Sequence, residues 1–142
     1  MLDSQMFCQI IHNVFEPFLN KMGIPLIELT VNGRFYIAEF NILSSHTLSI
    51  TYEPGDWYMD IGICGTRTGD LSIIDDPIKS PSLSDLNARF YGSFTKDEII
   101  QNTIYFQKFK GDNEDEKKLI KAAQDLRLIL PKYLKEIKNE KK

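Results

Sequence analysis

Apolar residues change their spacing twice along this chain. In the first stretch Met6, Phe7, Ile10, Ile11, Val14, Phe15, Phe18, Leu19 and Met22 recur at intervals of three and four. That spacing predicts an amphipathic helix, capped by Asp3 or Ser4 and stopped by Gly23. Pro17 lies inside the pattern, where it removes a donor and crowds the preceding turn, so a kink near Phe15–Glu16, or a break, is expected. From Leu26 to Ile74 the period falls to two, which predicts consecutive strands. After the breaker-rich segment Asp75-Asp76-Pro77-Ile78-Lys79-Ser80-Pro81 the helical spacing returns and holds to the C-terminus.

The strand region is the part around which the rest is organised. Asn32-Gly33 stands between Leu26–Val31 and Phe35–Phe40, and it suits a two-residue type I′ turn, which needs positive φ at both central positions. That turn would set Val31 opposite Arg34, Leu29 opposite Tyr36 and Ile27 opposite Ala38. Side chains alternate along a strand. Ile27, Leu29, Tyr36, Ala38 and Phe40 then share a core face, and Glu28, Thr30, Phe35, Ile37 and Glu39 share a mixed one. Thr47–Tyr52 continues with Leu48, Ile50 and Tyr52 on one side. Glu53-Pro54-Gly55-Asp56 reads as a turn. Trp57 to Cys64 follows, with Trp57, Met59, Ile61 and Ile63 on one side, and Leu71-Ser72-Ile73 begins a last strand. Strands joined so closely pair antiparallel, which gives a meander of about five.

In the helical part, Ser82-Leu83-Ser84-Asp85 and Thr95-Lys96-Asp97-Glu98 have capping-box form and start helices near Leu83–Tyr91 and Lys96–Phe109. Leu86, Phe90, Phe94, Ile99, Ile100, Ile104, Tyr105, Phe106 and Phe109 supply their apolar side. A third stripe comprises Leu119, Ala123, Leu126, Leu130, Leu134 and Ile137. Pro131 predicts an end or bend at Leu130, with a restart in whose first turn the proline sits. The fold class is therefore α+β: an N-terminal helix (1–23), an antiparallel meander (24–76) and C-terminal helices (82–139) packed on one face of the sheet, all in one domain of 142 residues.

Composition adds little to this picture, but charge adds something. With 42% apolar and 26% charged residues the chain is ordinary globular material. It has no apolar run of eighteen residues, so no membrane span is expected. The N-terminus lacks a basic region and a small-residue cleavage site, which predicts a cytoplasmic protein. Cys8 and Cys64 have neither metal nor redox spacing and read as buried thiols; a disulfide would require the first helix to pack over the strand holding Cys64. The net charge of −3 is unevenly spread. Between Glu39 and Asp76 seven acids face one base, Arg67, whereas from Gly111 onward nine bases outnumber seven acids. So acidic a sheet region repels phosphate backbones, excludes a nucleic-acid partner on that face, and suits a basic protein.

Catalytic chemistry finds no motif. The two histidines, His12 and His46, stand in different elements. No His-Glu-x-x-His, paired Cys-x-x-Cys, Gly-x-Ser-x-Gly or phosphate-binding glycine loop occurs. Cys64 with His46 would make a thiol–base pair across the sheet, but no third group orients it. Glu53, Asp56, Asp75 and Asp76 form the best acidic constellation, yet adjacent aspartates on a strand point opposite ways and do not share an ion. No enzyme activity, metal or cofactor is expected. What remains is surface. Glu39, Glu53, Asp56, Trp57, Tyr58, Asp60, Asp75 and Asp76 form the candidate partner-binding set, with aromatic anchors bordered by steering charge.

In size, α+β layout and charge, over its whole length, the chain resembles the immunity proteins of bacterial toxin–immunity systems. No residue motif carries the likeness. It implies a non-enzymatic protein that occludes a basic toxin, as a monomer or homodimer. Two rival readings fit the same composition. One is a dimeric secretion-type chaperone, using the mixed sheet face or the first helix. The other is a small ligand-binding or enzymatic domain with a pocket near Tyr52, Tyr58 and Asp76.

Overall fold

The computed structural model describes residues 2–43, 46–54, 58–65 and 81–140. The order of elements is α1 (Ser4–Ile10), a π-helical turn (Ile11–Phe15), α2 (Glu16–Lys21), β1 (Leu26–Val31), β2 (Tyr36–Ile42), β3 (His46–Glu53), β4 (Tyr58–Gly65), α3 (Leu83–Phe90), α4 (Lys96–Phe106) and α5 (Glu114–Glu140). The layout is α+β, with one antiparallel sheet in the order β1-β2-β3-β4. It has four strands among the described residues, not five; the segment Leu71–Ile73, expected as the fifth, lies outside them.

Asp3 caps α1, its carboxylate accepting the Met6 N–H at 2.8 Å. Pro17 neither ends nor breaks the N-terminal helix. The chain winds one wide turn before it, in which the Glu16 N–H reaches back five residues to the Ile11 carbonyl. Pro17 then falls in the first turn of α2, where its missing donor costs nothing. Gly23 ends the helix at φ +78°, in the left-handed region that glycine adopts without strain.

The hairpin register differs from the one a type I′ turn would set. Val31 pairs with Tyr36, Leu29 with Ala38 and Thr30 with Ile37. Neither Asn32 nor Gly33 takes a positive φ. Instead Asn32 opens the turn. Its backbone N–H donates to Phe35 O at 3.0 Å, and its side-chain oxygen accepts the N–H groups of Arg34 (3.0 Å) and Phe35 (2.9 Å). An asparagine used this way fixes the turn through its side chain rather than through left-handed backbone. The displacement is by two positions, so the faces survive. A bulge between Leu26 and Glu28 then changes one residue: Leu26 takes the place opposite Phe40, and Ile27 is left 58% exposed.

One face of the sheet, with Ala38, Phe40, Ile42, Leu48, Ile50, Tyr52, Ile61 and Ile63, is buried. The same core takes Phe7, Ile11, Phe15 and Leu19 from the N-terminal helices, and Leu119, Leu126, Leu130 and Ile137 from α5. At about 25 cal/mol per Å² of apolar area removed from water, a one-sided sheet and amphipathic helices satisfy each other. α5 does not stop at Leu130. It runs unbroken through Pro131, whose ring lies on the exposed side. α4 is also turned from its expected orientation. Asn102 and Phe106 are buried, while Ile99, Ile100 and Ile104 stand about half exposed. The reason is long-range. Asn102 donates from Nδ2 to Gln124 O at 2.8 Å and accepts from the Arg127 guanidinium at 2.9 Å, so the polar residue is satisfied only against α5.

Tyr52 ties three layers together. Its ring stacks near Phe7 and Tyr36, with centroids at 6.3 and 5.9 Å. Its buried hydroxyl donates to Asp115 Oδ2 at 2.5 Å, in the first turn of α5, and accepts the Leu2 N–H at 3.0 Å. Burial, followed by the Asp115 carboxylate, pushes this hydroxyl up to about 12. Tyr52, expected to border a ligand pocket, is instead closed inside the core. Asn113 caps α5 by accepting the Glu116 N–H at 2.9 Å, and Glu116 returns a carboxylate to the Asp112 N–H at 3.1 Å.

Candidate protein-binding face

The second face of the sheet carries the chemistry. Strand alternation and register set its rows. Thr30, Ile37, Thr51 and Asp60 lie side by side across the four strands, and Glu28, Glu39, Ser49 and Gly62 form the next row. Phe35 and Glu53 mark one end, Asn41, Thr47 and Cys64 the other. Ile37, Glu39, Asn41, Thr47, Ser49, Thr51 and Cys64 are half-buried, and Glu28 and Asp60 are exposed. None of these is sealed as the opposite face is. None of the four described strands contains a lysine or an arginine.

Of the expected partner-binding residues, the structure places Glu39, Glu53 and Asp60 on this one face. Asp56, Trp57, Asp75 and Asp76 lie outside the described residues, and so does the side chain of Tyr58, although its backbone pairs with Glu53. Glu53 is a weaker contributor than its charge suggests. Its side chain is only 15% exposed and faces the Arg34 guanidinium at 3.8 Å. Glu28, absent from the expected set, belongs to it. The register sets it directly opposite Glu39. Like charges facing each other across a ladder cost stability, and here they lie on the side of the sheet that the described helices leave open. The signal was present in the sequence as alternation; Glu28 falls in phase with Glu39 once the hairpin is drawn. Neighbouring strands are about 4.8 Å apart and residues about 3.4 Å along them, so Glu39 and Asp60 stand about 12 Å apart. That is the footprint of a shallow recognition surface rather than of a two-carboxylate catalytic pair.

The remaining chemical candidates separate. Cys8 and Cys64 are half-buried and form no disulfide. Cys64 lies beside Thr47 on the open face, and Cys8 belongs to a helix on the other. His46 is adjacent to Cys64 in the ladder but one residue out of phase, so alternation sends the two side chains to opposite faces. His12 is exposed and meets Glu16 at 3.0 Å, one helical turn on. Among the described residues no three His, Cys, Asp or Glu side chains converge as a metal site, and no helix is long and apolar enough to cross a membrane.

Neither protein-family models, nor curated proteins, nor solved structures match this chain. Its functional reading therefore stands on its own geometry.

Proposed function

We propose that the protein is a non-enzymatic binding protein that sequesters a basic protein partner on the open face of its sheet, in the manner of an immunity protein occluding a toxin. One observation carries this reading: an antiparallel face that the described helices leave open, on which Glu28, Glu39 and Asp60 are all acidic, while none of the four described strands holds a Lys or Arg and the nearest base, Arg34 in the turn, faces Glu53. A single-signed field of this kind raises the association rate of an oppositely charged partner. The small side chains between the acids, Thr30, Ser49 and Thr51, let a partner approach closely, and Ile37 supplies apolar area at the centre.

The test is retention of the partner from the source cell by the wild-type chain and by the Glu39→Lys/Asp60→Lys variant. Both side chains point away from the core, so far-ultraviolet circular dichroism is expected to be unchanged. The variant is expected to retain the partner at least tenfold less well, and wild-type retention to weaken between about 50 and 300 mM salt as the charges are screened. Equal retention by both chains would remove the acidic face from the mechanism.

A further inference from the structure

Where β4 meets the start of α3 the packing is close. The Ile63 N–H donates to Pro81 O at 2.9 Å, Gly62 bridges Ser82, and the recess beside them holds only about 160 Å³. A larger cleft, about 260 Å³, opens on the helical side, where α4 packs on α5 beside the end of α2. It lies away from the acidic face, among the helices that cover the opposite side of the sheet.

The polar wall of this cleft is built around one guanidinium. Arg127 Nη1 donates to Asn102 Oδ1 at 2.9 Å, and Asn102 is itself 4% exposed and tied to Gln124 O. The guanidinium carbon stands 3.9 Å from the centroid of the Tyr105 ring. A buried amide and an aromatic face thus hold Arg127 in place while most of its N–H donors stay unspent. Among the described residues Arg127 forms no ion pair. The same ring carries a second cation, Lys108 Nζ at 4.4 Å, which also has no carboxylate partner among them. Lys132 lines the cleft too, but its Nζ lies 3.9 Å from Glu98 Oε2, which offsets its charge. Met22, Leu128 and Pro131 supply the apolar part of the lining.

A guanidinium held this way matches a carboxylate through two parallel hydrogen bonds. Phosphate suits the same fork, but a dianion would meet the Glu98 carboxylate in the same cleft. We propose that the cleft binds a small monocarboxylate, its head on Arg127 and a short apolar body against Met22, Leu128 and Pro131. Volume sets the size of that body. A cavity of about 150 Å³ holds benzene, so about 260 Å³ takes a carboxylated ring or a branched chain of similar bulk.

Benzoate is the probe, with phenyl phosphate as the rival anion and benzyl alcohol as the uncharged control. Each is titrated into the isotope-labelled full chain and followed by NMR amide shifts. Benzoate is expected to saturate with a Kd of about 0.1–5 mM, moving the amides of Asn102, Arg127 and Leu128 and leaving those of Glu39 and Asp60 in place. Phenyl phosphate is expected to bind at least about threefold more weakly, and benzyl alcohol at least about tenfold. Arg127→Met is expected to weaken benzoate by at least about tenfold. Because Arg127 also satisfies Asn102, a second variant leaves every charge and hydrogen bond in place: Leu128→Trp fills the apolar part of the cleft and is expected to cause a similar loss with an unchanged circular dichroism spectrum. No saturable shift at these amides up to about 20 mM benzoate would overturn the proposal. So would benzyl alcohol binding as tightly as benzoate, or either variant, once folded, binding benzoate as wild type does. Phenyl phosphate binding more tightly than benzoate would overturn the assignment of a monocarboxylate.

Discussion

Replacing Tyr52 with phenylalanine removes one oxygen and leaves the ring stack in place, so the loss isolates the buried hydroxyl. That oxygen donates to Asp115 at 2.5 Å and accepts from Leu2 at 3.0 Å. A hydrogen bond to a charged group contributes about 1.5–3 kcal/mol, and a buried partner left short of its bond costs about 1–3 kcal/mol more. Tyr52→Phe is therefore expected to destabilise the fold by about 3–4 kcal/mol, lowering Tm by about 10 °C. Urea titration followed by circular dichroism gives the free energy directly. The pH dependence supplies an independent reading. The folded chain holds the Tyr52 proton up to about 12, against 10.0 for an ordinary tyrosine. Above pH 10 the unfolded chain releases that proton first, so unfolding gains and stability falls. The contribution is complete below pH 10 and is lost as pH rises through 12; a two-unit displacement corresponds to about 3 kcal/mol. The stability difference between wild type and Tyr52→Phe should accordingly shrink between pH 10 and 12. A difference that stays constant across this window, or a loss below about 1 kcal/mol at pH 7, would refute the buried relay.

Three further outcomes follow from local geometry. Pro131 sits inside an otherwise continuous α5 on its exposed side; Pro131→Ala restores a backbone donor and should raise stability by about 1–3 kcal/mol in the same urea assay. Gly111 packs so closely that an added Cβ would lie 2.8 Å from Lys117 N, so Gly111→Ala should lower stability by about 1–3 kcal/mol despite the gain in helix propensity nearby. Thr95→Ala removes the side-chain acceptor for the Glu98 N–H and should cost about 1 kcal/mol, read from thermal unfolding. The Glu98 carboxyl lies below its ordinary range, chiefly because it accepts the Thr95 N–H. Its contribution is present at neutral pH and is lost as pH falls through the folded value, and an amide titration by NMR follows it.

Period alone located nearly every described element, because amphipathic spacing and one-sided burial are the same fact seen in sequence and in space. It also put Glu28 and Glu39 on one face, although the pairing drawn from Asn-Gly was displaced by two. The displacement arose because Asn32 can serve a turn in two ways, through left-handed backbone or through its side chain, and local sequence does not choose between them. The bulge at Ile27 was not legible, since it depends on how β1 meets β2 rather than on β1 itself. α4 misled for the opposite reason. Its isoleucines outnumber its polar residues on the expected face, but Asn102 finds its partners at Gln124 and Arg127, more than twenty positions away. Pro17 and Pro131 were both read as interruptions; one was absorbed by a wide turn and the other by an exposed side of a helix held along its length by the core.

The contact that Pro81 and Ser82 make along β4 has a consequence for how such chains behave when concentrated. Proline has no backbone N–H to offer a newcomer, and its carbonyl is already engaged with Ile63. Stacking of one molecule's first strand on another's last is thereby obstructed at its midpoint, and a ribbon of endlessly repeated sheets has no second end on which to grow.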